Sequence, residues 1–419
     1  MKKISWYKQK SITGIMLTAA ALLFSLNAFA ANNFKEMFNE STVEGQLIYR
    51  YQNLEIAEGI KDGSDSAVGG MLSVNTGSLH GISLGVTFGT ANDMFSNDND
   101  GAYGLLQEDH EGYATLKEYY IQGEWLKTAI KYGAQHINTP WANGDEYPWF
   151  LPITYRGLSV INRGLSNTEI HGYYLTDIST PNSDEFVDIS KNVSSGADSN
   201  PLIIGGIKYA LDSESYIFNA QGWGYHVDDF IDMSYVDLNV GKKFGPWTAY
   251  IKPSYLTQKS AGDEIRGDFD TYQYGVVAGT EAYGFNASLH YSETGDDNLF
   301  RGWGHSSVVP AQFLVSERAE ETAYMAYAGY AFDAIGIPGL YAAITYASFD
   351  TPDSGTNSSS DADEIDYNVM YDFNDNILGG ALSGLHLEVR YADINFDSDP
   401  DMTELHVLAI YSFSFGGEK

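Results

Sequence analysis

Apolar and polar residues alternate one by one along most of this chain, and the pattern returns until the last residues. Ile82, Leu84, Val86 and Phe88 are interleaved with Ser83, Gly85, Thr87 and Gly89. Phe285, Ala287, Leu289 and Tyr291 are interleaved with Asn286, Ser288, His290 and Ser292, and Leu385, Leu387, Val389 and Tyr391 with His386, Glu388, Arg390 and Ala392. Successive side chains of a strand point to opposite faces, so each segment has one apolar and one mostly polar face. Eighteen such segments can be read, beginning near Val43, Val68, Ile82, Lys117, Lys127, Arg156, Glu169, Leu202, Tyr216, Met233, Trp247, Tyr272, Phe285, Ala323, Leu340, Asp366, Leu385 and Thr403. Most run about ten residues, the length a tilted membrane strand needs.

The connections alternate as well. Thr76-Gly77-Ser78, Glu124-Trp125-Leu126, Asp212-Ser213-Glu214 and Phe244-Gly245-Pro246 are short. The connections between them are mostly long and acidic: 94–111, 179–200, 299–320 and 351–363. Short turns at one end and long loops at the other are the layout of an outer-membrane barrel, whose short turns are periplasmic. An even strand number puts both termini on that side. Hydrocarbon supplies no water to satisfy backbone groups, so strands can span it only as a closed barrel. At eighteen strands the lumen holds water and needs narrowing by inward loops. The expected fold is therefore all-β, an 18-stranded antiparallel transmembrane β-barrel with short periplasmic turns and long acidic extracellular loops.

The first thirty residues fit an exported barrel. Lys2, Lys3, Lys8 and Lys10 precede an apolar run from Ile12 to Leu26, which closes in Ala28-Phe29-Ala30. A basic start, an apolar middle and a small-x-small exit make a secretory signal peptide; the run is shorter than the roughly 20 residues of a spanning helix. The expected organisation is a leader over 1–30, a short periplasmic segment over 31–42, the barrel over 43–415 and a tail over 416–419. Losing the four lysines of the leader leaves 19 basic residues against 56 acidic, a net charge of −37. Nucleic acid is excluded as a partner, because phosphate binding needs cations. With no cysteine there is no disulfide, thiolate metal site or cysteine nucleophile. The 31 Tyr, 21 Phe and 7 Trp suit aromatic girdles at both membrane interfaces. Expected partners are outer-membrane lipid and lipopolysaccharide, the barrel-assembly machinery and small polar solutes; no cofactor is expected.

Two local features stand out. The last strand carries Val407, Ala409, Tyr411, Phe413 and Phe415 on one face, like the assembly signal of outer-membrane barrels, although Gly416-Gly417-Glu418-Lys419 follow the aromatic. Pro253 falls inside the eleventh segment, where a missing N–H predicts a bulge or a strand end.

One stretch is more specific. Lys131-Tyr132-Gly133-Ala134-Gln135 leads to Asn138-Thr139-Pro140, Asp145 and Leu151-Pro152-Ile153-Thr154-Tyr155-Arg156-Gly157, and a downstream strand reads Gly172-Tyr173-Tyr174-Leu175-Thr176-Asp177. This order resembles the third-loop region of the OprD-type outer-membrane porins. The resemblance implies an eighteen-stranded barrel, often a homotrimer, passing small water-soluble solutes, commonly amino acids or small carboxylates, along a ladder of basic wall residues. Pro148, Trp149 and Phe150 stand where that family usually has an arginine before Leu-Pro.

Alternation places Arg50, Lys131, Lys208, Lys252 and Arg390 on the lumen side; Arg156 and Arg163 flank the sixth strand, where the face is ambiguous. Such a row would guide an anion past a constriction. Alternatively each cation pairs with a lumen acid such as Glu44, Glu118, Asp237, Glu388 or Glu404 and contributes only about 0–1 kcal/mol. The third loop is expected to fold inward and set the constriction with Trp141, Asp145 and Glu146. The seventh, with Arg301, His305 and Arg318, is a weaker candidate for a second one. Asn97-Asp98-Asn99-Asp100 and Asp397-Ser398-Asp399-Pro400-Asp401 loosely match Ca²⁺-ligand spacing, with solubilising charge as the simpler explanation. The reading is a porin for passive diffusion of small hydrophilic solutes and ions. An outer-membrane enzyme or a structural barrel without an open pore is the alternative, yet no catalytic constellation stands out.

Overall fold

The computed structural model describes residues 30–144, 149–373 and 380–416. Most of the expected leader and the last three residues of the tail lie outside them. After a short helix, α1 (Phe34–Asn39), capped by the Asn33 side chain on the Glu36 N–H, strands supply most of the regular structure of the described chain. Eighteen long strands follow in order. They are β1 (Thr42–Ile56), β2 (Gly63–Asn75), β3 (Ile82–Asp93), β4 (Tyr113–Trp125), β5 (Thr128–Gln135) and β6 (Thr154–Asn162). Next come β7 (Thr168–Ser179), β8 (Leu202–Asp212), β9 (Tyr216–Val227), β10 (Ile231–Phe244), β11 (Trp247–Ser260) and β12 (Asp270–Ala282). The last are β13 (Phe285–Thr294), β14 (Thr322–Ala331), β15 (Leu340–Asp350), β16 (Ala362–Asp372), β17 (Leu385–Phe396) and β18 (Met402–Phe415).

Each strand pairs antiparallel with its sequence neighbours. The sheet closes where β1 meets β18, from Val43 opposite Phe415 to Ile56 opposite Met402. The eighteen expected segments match one for one; the largest differences are N-terminal extensions of β2, β4 and β16. Tight turns join the strands at one end. At 126–127 both residues have positive φ, 51° and 61°, the geometry that matches strand twist in a two-residue hairpin. Tyr283 and Gly284 form a second such turn, with φ of 50° and 85°.

The faces separate by chemistry. Ile82, Leu84, Val86 and Phe88 all point outward and are exposed, as are Tyr367, Val369, Leu387 and Val389. Leaving one such side chain in water forfeits about 1.5–3 kcal/mol. A continuous outer band of them is stable only against hydrocarbon.

Three irregularities modify this ladder. Between β3 and β4 the register shifts so that Lys117 is an extra residue, and both Lys117 and Glu118 turn toward the interior. Between β6 and β7 the shift falls at Arg156/Gly157, with Thr176 extra. Pro253 gives neither the bulge nor the strand end expected of it. Pairing with β10 lapses between Asp237–Ser254 and Val240–Ile251, but the register resumes unchanged, and Pro253 keeps its place opposite Val276 of β12. The missing donor thus costs one local gap in a ladder pinned on both sides.

Candidate functional site

The lumen is the candidate site, and long loops enter it from the extracellular end. Loop 3 (136–153) packs Ile137, Trp141 and Ile153 on the inward faces of Tyr155, Tyr173, Ile204 and Tyr225. The Trp141 N–H donates to the Tyr225 hydroxyl at 3.1 Å. Phe150 and Leu151, later in the same loop, join a second cluster on a different wall with Ile48 of β1 and Leu408 of β18. Loop 7 (295–321) meets loop 3 through backbone bonds: Asn143 N–H to the Trp303 carbonyl at 3.0 Å, and Ser306 N–H to the Pro140 carbonyl at 2.9 Å. The Trp303 carbonyl also accepts the Tyr155 hydroxyl, and the Trp303 ring is fully buried against Phe230 and Phe300. Loops 3 and 7 therefore form one body inside the barrel. Its cement is aromatic burial, which needs no registry with water.

Wall carboxylates tie further loops down. Buried Asp65 of β2 accepts the N–H groups of Tyr103, Leu105 and Leu106 at 2.8, 2.9 and 3.2 Å, and contacts His110 Nδ1 at 2.8 Å. All four belong to loop 2 (94–112). Burial opposes charging of the His110 ring, but the Asp65 hydrogen bond and charge outweigh it and hold its pKa above the ordinary value. The Tyr103 hydroxyl is raised by burial and by the charge of Glu404, to which it donates at 2.6 Å. Buried Lys117, turned inward by the bulge in β4, donates to Ser179 Oγ and the Thr180 carbonyl at 2.9 and 2.7 Å and so fastens the start of loop 4 (180–201).

The expected basic residues fall into four groups. Lys131, Lys208 and Lys252 face the lumen, each with its ammonium over an aromatic ring: Tyr120 at 4.0 Å, Trp223 at 5.2 Å and Tyr250 at 4.7 Å. Among the described residues these three form no ion pair with a carboxylate at contact distance. Arg50 and Arg390 face inward but are buried; Arg50 donates to the Trp149 carbonyl of loop 3 at 2.8 Å. Arg163 pairs with Glu169 at 2.7 Å beside the turn that follows β6. Arg156 lies elsewhere. It shares a cross-strand row with Ala134 and Tyr119, on the face of Tyr132 and Leu158, and pairs with Asp177 at 2.5 Å under the Phe186 ring. That is the outward face, so it does not join the lumen lysines. Trp141 sits in the buried loop body. Asp145 and Glu146 lie outside the described residues. Of the loop 7 candidates, Arg301 pairs with Glu317, His305 lies against Trp141 at 5.5 Å, and Arg318 pairs with Glu321 at 2.5 Å while bonding Ser360 and Phe349 carbonyls.

One row joins opposite charges without neutralising them. Glu169, Lys208, Gln221 and Asp237 are successive cross-strand partners over β7 to β10. Glu169 is held by Arg163 and His171, and Asp237 accepts from Gln221 at 2.6 Å and Tyr235 at 2.9 Å. Gln221 in turn accepts from Trp223, the ring beneath Lys208. Lys208 thus stands over the Trp223 ring between two fixed carboxylates and forms a contact ion pair with neither. Sequence reasoning missed Asp65, Lys117, Glu364 and Asp366 as loop anchors. Two of them sit in the N-terminal extensions of β2 and β16, one at a bulge; alternation in the extended strands is the signal that reaches them.

Comparison with known proteins gives a consistent result. The family model for outer membrane porin, OprD family, matches residues 96–415. Among solved structures, the chain is similar to OccK9 (OpdG) of Pseudomonas aeruginosa, with TM-score 0.82 and 22% identity over 90% of this chain and 100% of that one. It is similar to OpdK of the same organism, solved with vanillate, with TM-score 0.79 and 18% identity over 90% and 100%. A BenF-like porin from Pseudomonas fluorescens Pf-5 superposes with TM-score 0.80 and 17% identity over 90% and 100%. No curated protein sequence matches.

Proposed function

This chain belongs to the OprD family of outer membrane porins, and from that premise we propose that its lumen passes small hydrophilic solutes and ions by passive diffusion, with amino acids as the favoured class. An outer-membrane channel for small solutes follows from the family; the solute is our reading. The observation that carries it is the row Glu169–Lys208–Gln221–Asp237. A zwitterion presents a carboxylate to the Lys208 ammonium and an ammonium to the flanking carboxylates at once, whereas a simple anion meets the same carboxylates as repulsion. The related channel solved with vanillate extends the candidates to small carboxylates.

For plain salts we expect a weak cation preference, because acidic loops surround the entrance, although charges beyond about 10 Å are screened at 0.1 M salt. The deciding experiment is single-channel recording in a planar bilayer under a salt gradient, followed by swelling of proteoliposomes in amino acids and in matched neutral sugars. Discrete steps, a reversal potential favouring potassium, and faster swelling in the amino acid support the proposal. A reversal potential clearly favouring chloride sinks the cation preference. Equal swelling sinks the zwitterion reading, and absence of steps from folded protein favours a structural barrel.

Export and assembly are proposed on the same basis. The leader is cleaved after Ala30, checked by the N-terminal residue of the mature protein. The resemblance implies a homotrimer, while barrels of this family are typically monomeric; the mass of the solubilised protein from light scattering separates the two.

A further inference from the structure

We propose that Glu364, Asp366 and Glu404 position the tip of loop 7 in the lumen and thereby present Phe313 to the passing solute as a specificity-determining residue, an inference that rests on the channel reading. Asp366 and Glu404 flank Ala392 in one cross-strand row over β16, β17 and β18, and the small alanine leaves a gap between the two carboxylates. Gln312 spans that gap. Its N–H donates to Asp366 at 3.1 Å and its side-chain amide to Glu404 at 3.0 Å. Glu364 lies on the same inward face of β16 and receives the N–H groups of Phe313 and Leu314 at 2.7 and 2.8 Å, one on each oxygen.

All four of these bonds are accepted by carboxyl oxygens of the wall. Three of them come from backbone N–H groups, so they fix the path of the chain independently of the side chains it displays. What it displays is apolar. The tip reads Val308-Val309-Pro310-Ala311-Gln312-Phe313-Leu314. Val309 and Ala311 are buried against Ala323, Met325 and Phe349 on the wall, and Leu314 packs on the same cluster. Among the large side chains of the tip Phe313 is the exception. It is only half-buried, and among the described residues it joins none of the apolar clusters and makes no ring–ring contact. A half-covered phenyl ring on a loop tip inside a polar channel, its backbone clamped by wall carboxyls, offers apolar contact to a solute and sterically narrows the path.

The test uses the full-length protein, whose lack of cysteine makes a single introduced thiol unambiguous. Phe313→Cys, folded as judged by heat-modifiable migration, is recorded in bilayers before and after a charged methanethiosulfonate reagent. The expected result is a fall of about half in single-channel conductance, since a bulky charge then stands in the path. Phe313→Ala should raise conductance and reduce the swelling advantage of phenylalanine over alanine. Glu364→Gln keeps the volume but offers one acceptor oxygen in place of two and turns an amide NH₂ toward the second N–H. It should add conductance fluctuations that the wild type lacks. Labelling of the introduced thiol, confirmed by mass, with unchanged current overturns the inference, as does Glu364→Gln with wild-type noise. Absence of steps in the wild type overturns the channel reading instead, so the two failures are distinguishable.

Discussion

Lys208 illustrates how little a residue type says until its neighbours are known. Its place on the inward face follows from alternation alone, but the ring of Trp223 beneath it and the carboxylates on either side come from strands β7, β9 and β10. Replacing Lys208 by Met should slow amino-acid swelling about threefold, on the order of 0.6 kcal/mol, and move the reversal potential further toward cations. Unchanged swelling would mean that the lysine is only packed, not used. His110 makes a pH-dependent prediction. Its pKa is raised in the folded loop, so its contribution to holding loop 2 is complete below the ordinary value of about 6.5 and is lost as pH rises through the folded one. Amide exchange at 103–106 should therefore be slower, relative to its intrinsic rate, at about pH 5.5 than at about pH 8.5, and His110→Gln should abolish the difference. Lys208 was legible in the sequence as a candidate. Asp65 was not, because its value lies in three N–H groups from a loop far along the chain.

At the scale of elements, β18 closes the barrel and its sequence shows why. Phe413 lies over Gly45 of β1, where even a methyl group would fall on the ring, and Phe415 faces Val43 at the end of the seam. Removing the chain from Phe415 onward should impair assembly, seen as loss of the heat-modifiable form; a normal form in that variant would remove the C-terminal strand end from the assembly signal. β11 makes the opposite case. Pro253 interrupts pairing with β10 without shifting the register, so Pro253→Val should restore a ladder bond and stabilise the barrel by about 0.5–1.5 kcal/mol, measured as a higher denaturant midpoint. An unchanged midpoint would show that the gap persists without the proline. A bulge was the natural expectation from a missing donor, but pairing on the β12 side leaves no room for an extra residue.

For the whole molecule, eighteen periods of alternation determined the architecture. The strands are apolar on the outward face and mostly polar on the inward one, and only a closed barrel in a bilayer satisfies both faces and the backbone groups. Strand order, closure and inward side chains were therefore available from sequence, because each depends on a local two-residue period. The interior arrangement was decided by tertiary structure. Which loops enter the lumen depends on aromatic residues such as Trp141 and Trp303 finding partners on distant strands, and on carboxylates such as Glu364 meeting backbone N–H groups far along the chain. Arg156 shows the limit most clearly. A bulge at Arg156/Gly157 left its face ambiguous in sequence, and the fold put it outside, paired with Asp177. Period two is a property of neighbours in sequence and survives without the fold; the width and chemistry of the channel belong to contacts between residues far apart, which exist only once the barrel has closed.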